Sequence, residues 1–202
     1  MPSVLQGPVL SIGNDKARKP RADSLRNREQ LLEAAKAAFT TVGADVPLEE
    51  IAQRAGLGIG TLYRHFPTRD ALMAAVYRRE VEQLSASAEA LLAGQPPGQA
   101  LKAWLHLLVE YMATKRVIAP ALRASPGEGS ALYAASGTAI SESMNRLARA
   151  AIDGGDNRPD IGPDDLYRML IGLSHGYDQP DWEPSARRLI DVLMAGLRPV
   201  AP

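Results

Sequence analysis

Apolar residues recur at three- and four-residue spacing along almost the whole chain, and no stretch sustains the two-residue alternation of a half-buried strand. That periodicity confines the fold to helices packed on helices, an all-α architecture with no sheet. Pro and Gly supply the breaks. Leu31, Leu32, Ala35, Ala38, Phe39 and Val42 form one face of a first helix over 24–42, and Gly43 suits the left-handed residue that ends it. A second helix starts near Pro47, with Glu49 and Glu50 set against its dipole, and stops at Gly56. A third covers about 59–66. Thr68 then caps a long helix over 68–93, about 39 Å from end to end. Further helices are expected over 99–116, 118–124, 129–152, 163–177 and 184–197, which makes about nine in all.

Composition removes several function classes. The chain has no cysteine, so disulfides, thiolate metal sites and a cysteine nucleophile are excluded, and a reducing cytoplasm fits. No apolar run reaches the roughly 20 residues that span a bilayer, so no membrane partner is expected. The start, MPSVLQGPVLSIGND, has neither a basic n-region nor an apolar h-region and reads as a disordered tail. Formal charge is zero overall but unevenly spread. Residues 1–80 hold twelve Lys/Arg against nine Asp/Glu; residues 81–202 hold eleven against fourteen. Basic residues cluster between Lys16 and Arg21 and again at Arg26 and Arg28, so a polyanion meets the N-terminal third first.

Residues 48–66, LEEIAQRAGLGIGTLYRHF, are the informative segment. Ala52 leaves room for a close partner helix. Gly56, four residues on, supplies a turn conformation that is costly with a Cβ. Ile51, Ala55, Leu57 and Leu62 seal a small core between two short helices. That spacing is a helix-turn-helix, whose second helix enters the major groove. Its outer side offers Gly58, Ile59, Gly60, Thr61, Tyr63, Arg64 and His65. The glycines let backbone approach closely, Thr61 can touch a phosphate or a thymine methyl, and Arg64 can fork onto guanine or grip a phosphate.

With Ile51-Ala52, Ala55-Gly56-Leu57, the run Gly60-Thr61-Leu62-Tyr63-Arg64-His65-Phe66 and then Thr68-Arg69-Asp70-Ala71-Leu72, residues 24–80 resemble the DNA-binding domain of the tetracycline-repressor (TetR) family. The resemblance implies a transcriptional regulator, usually a repressor, that binds a palindromic double-stranded operator as a homodimer and is released by a small-molecule effector. It places Gly60, Thr61 and Arg64 at bases or adjacent backbone, and Tyr63, His65 and Arg69 at phosphates; Arg28 joins them through the basic cluster. Val46-Pro47 stand where the family often has a capping Ser or Thr, and Gly58-Ile59 replace a common Ser and a polar residue. The basic arm before Arg21 would compensate by reaching phosphate or the minor groove. The implied division is a basic tail over 1–20, a DNA-binding domain over 21–67 and a sensing and dimerisation domain over 68–202.

In that last part, Trp104, Leu107, Leu108, Tyr111, Met112, Tyr133, Met144, Met169 and His175 are candidates to line an effector pocket, though any one of them taken alone suits ordinary core better. His106 and His175 lack metal-ligand spacing, and the acidic run from Asp153 to Asp165 lacks the periodic ligands of a calcium loop, so neither metal nor cofactor is expected. No paired carboxylates, nucleophile elbow or phosphate loop points to an enzyme. The alternatives are a regulator acting without a ligand and, behind it, a small helical enzyme or binding protein on the same fold. The apolar positions of 163–177 and 184–197, Leu166, Met169, Leu170, Leu173, Leu189, Ile190, Leu193, Met194 and Leu197, either pack within the chain or, as the resemblance implies, join a twin in a four-helix bundle.

Overall fold

The computed structural model describes residues 18–124, 128–176, 179 and 181–199. Among these residues it forms eight α-helices and no strand: α1 (Arg18–Thr41), α2 (Leu48–Arg54), α3 (Ile59–His65), α4 (Arg69–Gly94), α5 (Pro97–Ala124), α6 (Glu128–Asp153), α7 (Pro163–Ser174) and α8 (Trp182–Gly196). The basic arm's Lys16 lies outside the described residues. Residues 18–20, expected in a disordered tail, instead form the first turn of α1, where Pro20 sits at a position that needs no N–H.

Local chemistry sets most boundaries. α1 ends where Gly43 takes φ +118° and its N–H bonds Phe39 O at 3.0 Å. The predicted face of α1 is wholly buried except for Val42, which lies past the helix end and is exposed. Gly56 takes φ +69° between α2 and α3, the left-handed region that a Cβ disfavours. Thr68 Oγ1 accepts from Ala71 N at 3.1 Å and so caps α4. One expectation fails: the helices predicted over 99–116 and 118–124 are a single α5, with Pro120 inside it. Ile118, Ala119 and Leu122 are buried on the face that α5 already presents to the core, and that burial carries the helix through the missing hydrogen bond.

α1 packs on α2, α4 and α5, and α2 packs on α3; α4, α5 and α6 then pack on one another to form the body. α8 lies against α5, and α7 against α6. One apolar core runs without interruption from Leu31 and Phe39 in α1, through Ile51 and Leu62, to Trp104, Leu147 and Ile190. No helix among the described residues is long and apolar enough to cross a membrane.

Candidate nucleic-acid interface and cavity

α3 has seven residues and two unlike sides. Leu62 is fully buried, and Phe66 just beyond the helix is nearly so. Opposite them Gly58, Gly60, Tyr63 and Arg64 are exposed, while Ile59, Thr61 and His65 are half-buried. Gly58 and Gly60 are not required by the fold. Neither has a positive φ, and a Cβ built at either would meet nothing within 4 Å. This side of α3 therefore presents bare backbone to the surface. Arg28 lies with its guanidinium 5.4 Å from the Phe66 ring centre, and the His65 ring is 6.2 Å from the same ring. Both are thereby held beside the C-terminal end of α3.

Arg69 has a different first task from the phosphate contact expected of it. Its Nη1 donates to Ala44 O at 2.8 Å and to Val46 O at 2.7 Å. Those two carbonyls lie in the loop between α1 and α2, so the guanidinium staples the first turn of α4 onto the unit formed by α1, α2 and α3. Two further ties fix α4 to α1. Lys36 Nζ pairs with the buried Glu80 carboxylate at 2.6 Å, and Arg79 pairs with Glu29 at 3.2 Å and Glu33 at 2.9 Å. The first half of α4 is thus joined to α1 and to the loop before α2 by charge and hydrogen bonds as well as by packing.

A cavity of about 240 Å³ lies between α5, α6 and α7. Leu108, Tyr111, Met112, Tyr133 and Met144, five of the nine pocket candidates, line it. The other four do not. Trp104 is fully buried in the core, with its indole N–H donating to Leu84 O at 2.9 Å. Leu107 is one residue out of phase with the lining face and borders a separate shallow depression beside Lys36 and Glu80. Met169 is next to the lining residue Leu170 but packs half-buried against the core. His175 is exposed at the end of α7, with Nδ1 2.9 Å from Ile171 O. The cavity also has walls that the sequence did not single out, among them Lys115, Arg123, Ile140, Tyr167 and Ile171.

Behind that wall is a chain of buried hydroxyls. Tyr77 of α4 is 2.8 Å from the Tyr111 hydroxyl and 2.7 Å from Ser136 Oγ, which donates to Tyr133 O at 2.7 Å. Because Ser136 gives its proton to a carbonyl, the order of donation runs Tyr111 to Tyr77 to Ser136. Burial pushes the Tyr77 and Tyr111 hydroxyls above the usual phenol range, so both keep their protons at neutral pH. Tyr77 and Ser136 carried no sequence signal, since each reads as one more position on an ordinary helix.

α7 and α8 bury Leu166, Leu170, Ile190, Met194 and Leu197 within the chain, while Met169, Leu173 and Leu193 are half-buried. Of the apolar positions expected to meet a twin, only Leu189 is exposed. The outward stripe is Tyr167 and Ile171 on α7 with Leu189 and Val192 on α8, the last 69% exposed. On the far side of α8, Asp191 takes Lys102 Nζ at 2.9 Å and His106 Nε2 at 3.1 Å from α5. His106 is thereby occupied by an inter-helix contact.

Residues 31–76 match the family model for bacterial regulatory proteins of the TetR family, and residues 96–199 match that for the C-terminal domain of SbtR-like transcriptional regulators. A TetR transcriptional regulator of Streptomyces coelicolor is 42% identical, with a TM-score of 0.76 over 86% of this chain and 99% of that one. The chain belongs to the TetR family. A second TetR regulator, from Mycobacterium vanbaalenii, is 32% identical, with a TM-score of 0.73 over 89% of this chain and 99% of its own. Among curated proteins, the transcriptional repressor KstR of Mycolicibacterium smegmatis is 37% identical over 76 residues, 37% of each chain. The matches span little more than a third of the length of the curated relatives. In this TetR-family transcriptional regulator, α3 and the Arg69 staple fall inside the N-terminal match, and all of the cavity falls inside the C-terminal one.

Proposed function

We propose that this chain is a cytoplasmic repressor which binds a palindromic operator as a homodimer and lets go of it when a small molecule enters the cavity between α5, α6 and α7. The observation that carries the reading is the outward side of α3, where two glycines without a structural task stand beside Tyr63 and Arg64. With no Cβ there, backbone can lie against a duplex, Arg64 can reach a base edge or phosphate, and Tyr63, Thr61 and His65 can donate to phosphates. The exposed Tyr167, Ile171, Leu189 and Val192 form the face that meets a second copy. Two copies so joined would set their α3 helices about 34–36 Å apart, one turn of DNA.

Release follows from the connections of α4. A molecule pressing on Tyr111 disturbs the hydroxyl chain at Tyr77, in the same helix whose first turn is stapled by Arg69 and whose Arg79 and Glu80 grip α1. A shift of α4 therefore carries α1 to α3 with it and changes the separation of the two α3 helices. An effector that fits the shifted state better than the DNA-bound one weakens operator binding by that difference. The name of KstR as a repressor, with its 76-residue match, supports the sign of regulation.

The test is an electrophoretic shift with DNA from upstream of the chain's own gene, at low ionic strength and against competitor DNA. A specific shift that Arg64→Ala weakens is expected. A purified dimer that ignores all DNA at low salt overturns the reading.

A further inference from the structure

We infer that the cavity takes an amphipathic organic anion, with its carboxylate between Lys115 and Arg123 and its apolar body along α5, α6 and α7. The inference rests on reading the cavity as the effector site. Its wall carries two cations and, among the described residues, no carboxylate. Lys115 Nζ is 5.0 Å from the Tyr133 ring centre and 5.7 Å from that of Tyr111, and the Arg123 guanidinium is 5.4 Å from Tyr133. Both cations therefore share the Tyr133 ring as a partner. A ring quadrupole offsets only part of the cost of setting two like charges at one wall. Glu110, the acid on the same helix, is committed to Arg187 at 2.9 Å.

Burial, and then the charge of Arg123, hold the Lys115 ammonium below its ordinary range, the direction expected of a cation that lacks an anion. The rest of the wall, including Leu108, Met112, Ile140 and Met144, has nothing to offer a charge and suits a hydrocarbon body. Size narrows the class. About 240 Å³ lies below the roughly 300–1,000 Å³ usual for sites that enclose drug-sized ligands, so a short organic acid fits and a nucleotide-bearing thioester does not. The head would also sit against Tyr133 and Tyr111, the two ends of the hydroxyl chain that reaches α4. An anion drawing Lys115 off the Tyr133 ring would act on Tyr77 through the stacking of the two rings, 6.2 Å apart.

The experiment is calorimetric titration of the full-length protein with octanoate, octan-1-ol and octylamine at neutral pH, repeated on the double variant Lys115→Met/Arg123→Met and on Gly137→Trp. Gly137 lines the cavity with open space at its Cβ position, so a Trp there fills the site. Octanoate is expected to bind at least tenfold more tightly than octan-1-ol, and octylamine not to bind. The double variant should bring octanoate to within twofold of the alcohol, with an unchanged helical spectrum. Equal affinity of acid and alcohol in the native protein overturns the anion assignment, as does a preference for acid that survives the double variant. If Gly137→Trp blocks the alcohol in that case, the cavity still stands as a site. Binding that Gly137→Trp leaves intact removes the cavity itself. Failure of all three probes also overturns the anion assignment, and operator release by neutral compounds, lost in Gly137→Trp, would then sustain the cavity alone.

Discussion

Gly60 sits inside α3 with ordinary helical backbone and empty space where a side chain would be. Glycine in a helix costs about 0.5–1 kcal/mol relative to alanine. Gly60→Ala should therefore raise stability by about that amount and at the same time weaken operator binding, because the new methyl would stand between backbone and duplex. Urea unfolding and a binding titration measure the two effects, and unchanged operator affinity would remove Gly60 from the interface. Arg64→Ala should cost about 1–3 kcal/mol on specific DNA and relax base preference; equal weakening on all sequences would reassign Arg64 to phosphate. Arg69→Met acts differently. It leaves Ala44 O and Val46 O without their donor, and an unsatisfied part-buried carbonyl costs about 1–3 kcal/mol. The urea midpoint should fall with an unchanged slope. A midpoint equal to that of the parent would show that the staple carries no stability.

α4 gains its importance as an element from what grips it at two levels. At its front, Arg69, Arg79 and Glu80 bind it to the loop before α2 and to α1. Between Arg69 and Arg79 in the same helix, Tyr77 reaches α5 and α6 through two hydroxyls. Tyr77→Phe keeps the ring in its place, 6.0 Å from that of Tyr111, but leaves the Tyr111 and Ser136 hydroxyls facing an apolar edge. A loss of about 1–3 kcal/mol is expected, again the cost of buried polar groups left unpaired. The sharper expectation concerns coupling. Operator affinity without effector should change less than twofold, while the effector concentration needed for release rises. A titration of shifted DNA against effector reads both, and an unchanged release curve would take the hydroxyl chain out of the mechanism.

At the scale of the whole molecule, the proposed homodimer would cover the exposed Tyr167, Ile171, Leu189 and Val192 of α7 and α8. A two-fold axis repeats each contact, residue i on j and j on i, so each substitution enters the interface twice. Leu189→Glu/Val192→Glu should leave the helical spectrum unchanged, because both side chains are exposed within the chain. It should convert the protein to a monomer in sedimentation at micromolar concentration and lower operator affinity at least tenfold, since one α3 then grips only a half-site. A variant that remains dimeric would place the interface elsewhere on the surface.

The all-helical class, the helix breaks other than the one expected before Ile118, the buried face of α1 and the Gly56 turn were legible in the chain because each depends on residues within a few positions of one another. So was the outward set on α3, since a seven-residue helix with one buried leucine has little choice of which side to expose. Matters that join distant positions were not legible. Tyr77 and Tyr111 lie 34 residues apart, and Arg69 reaches back 25 and 23 residues to its carbonyls. An apolar stripe recurs along α5 through Trp104, Leu108, Tyr111 and Met112, but where the neighbouring helices cross it decides which of these fill core and which line a cavity. On α7 and α8 the same ambiguity left Leu170 and Ile190 inside and Ile171 and Val192 outside. Helical periodicity determines that a face is apolar; only the packed neighbours determine what covers it.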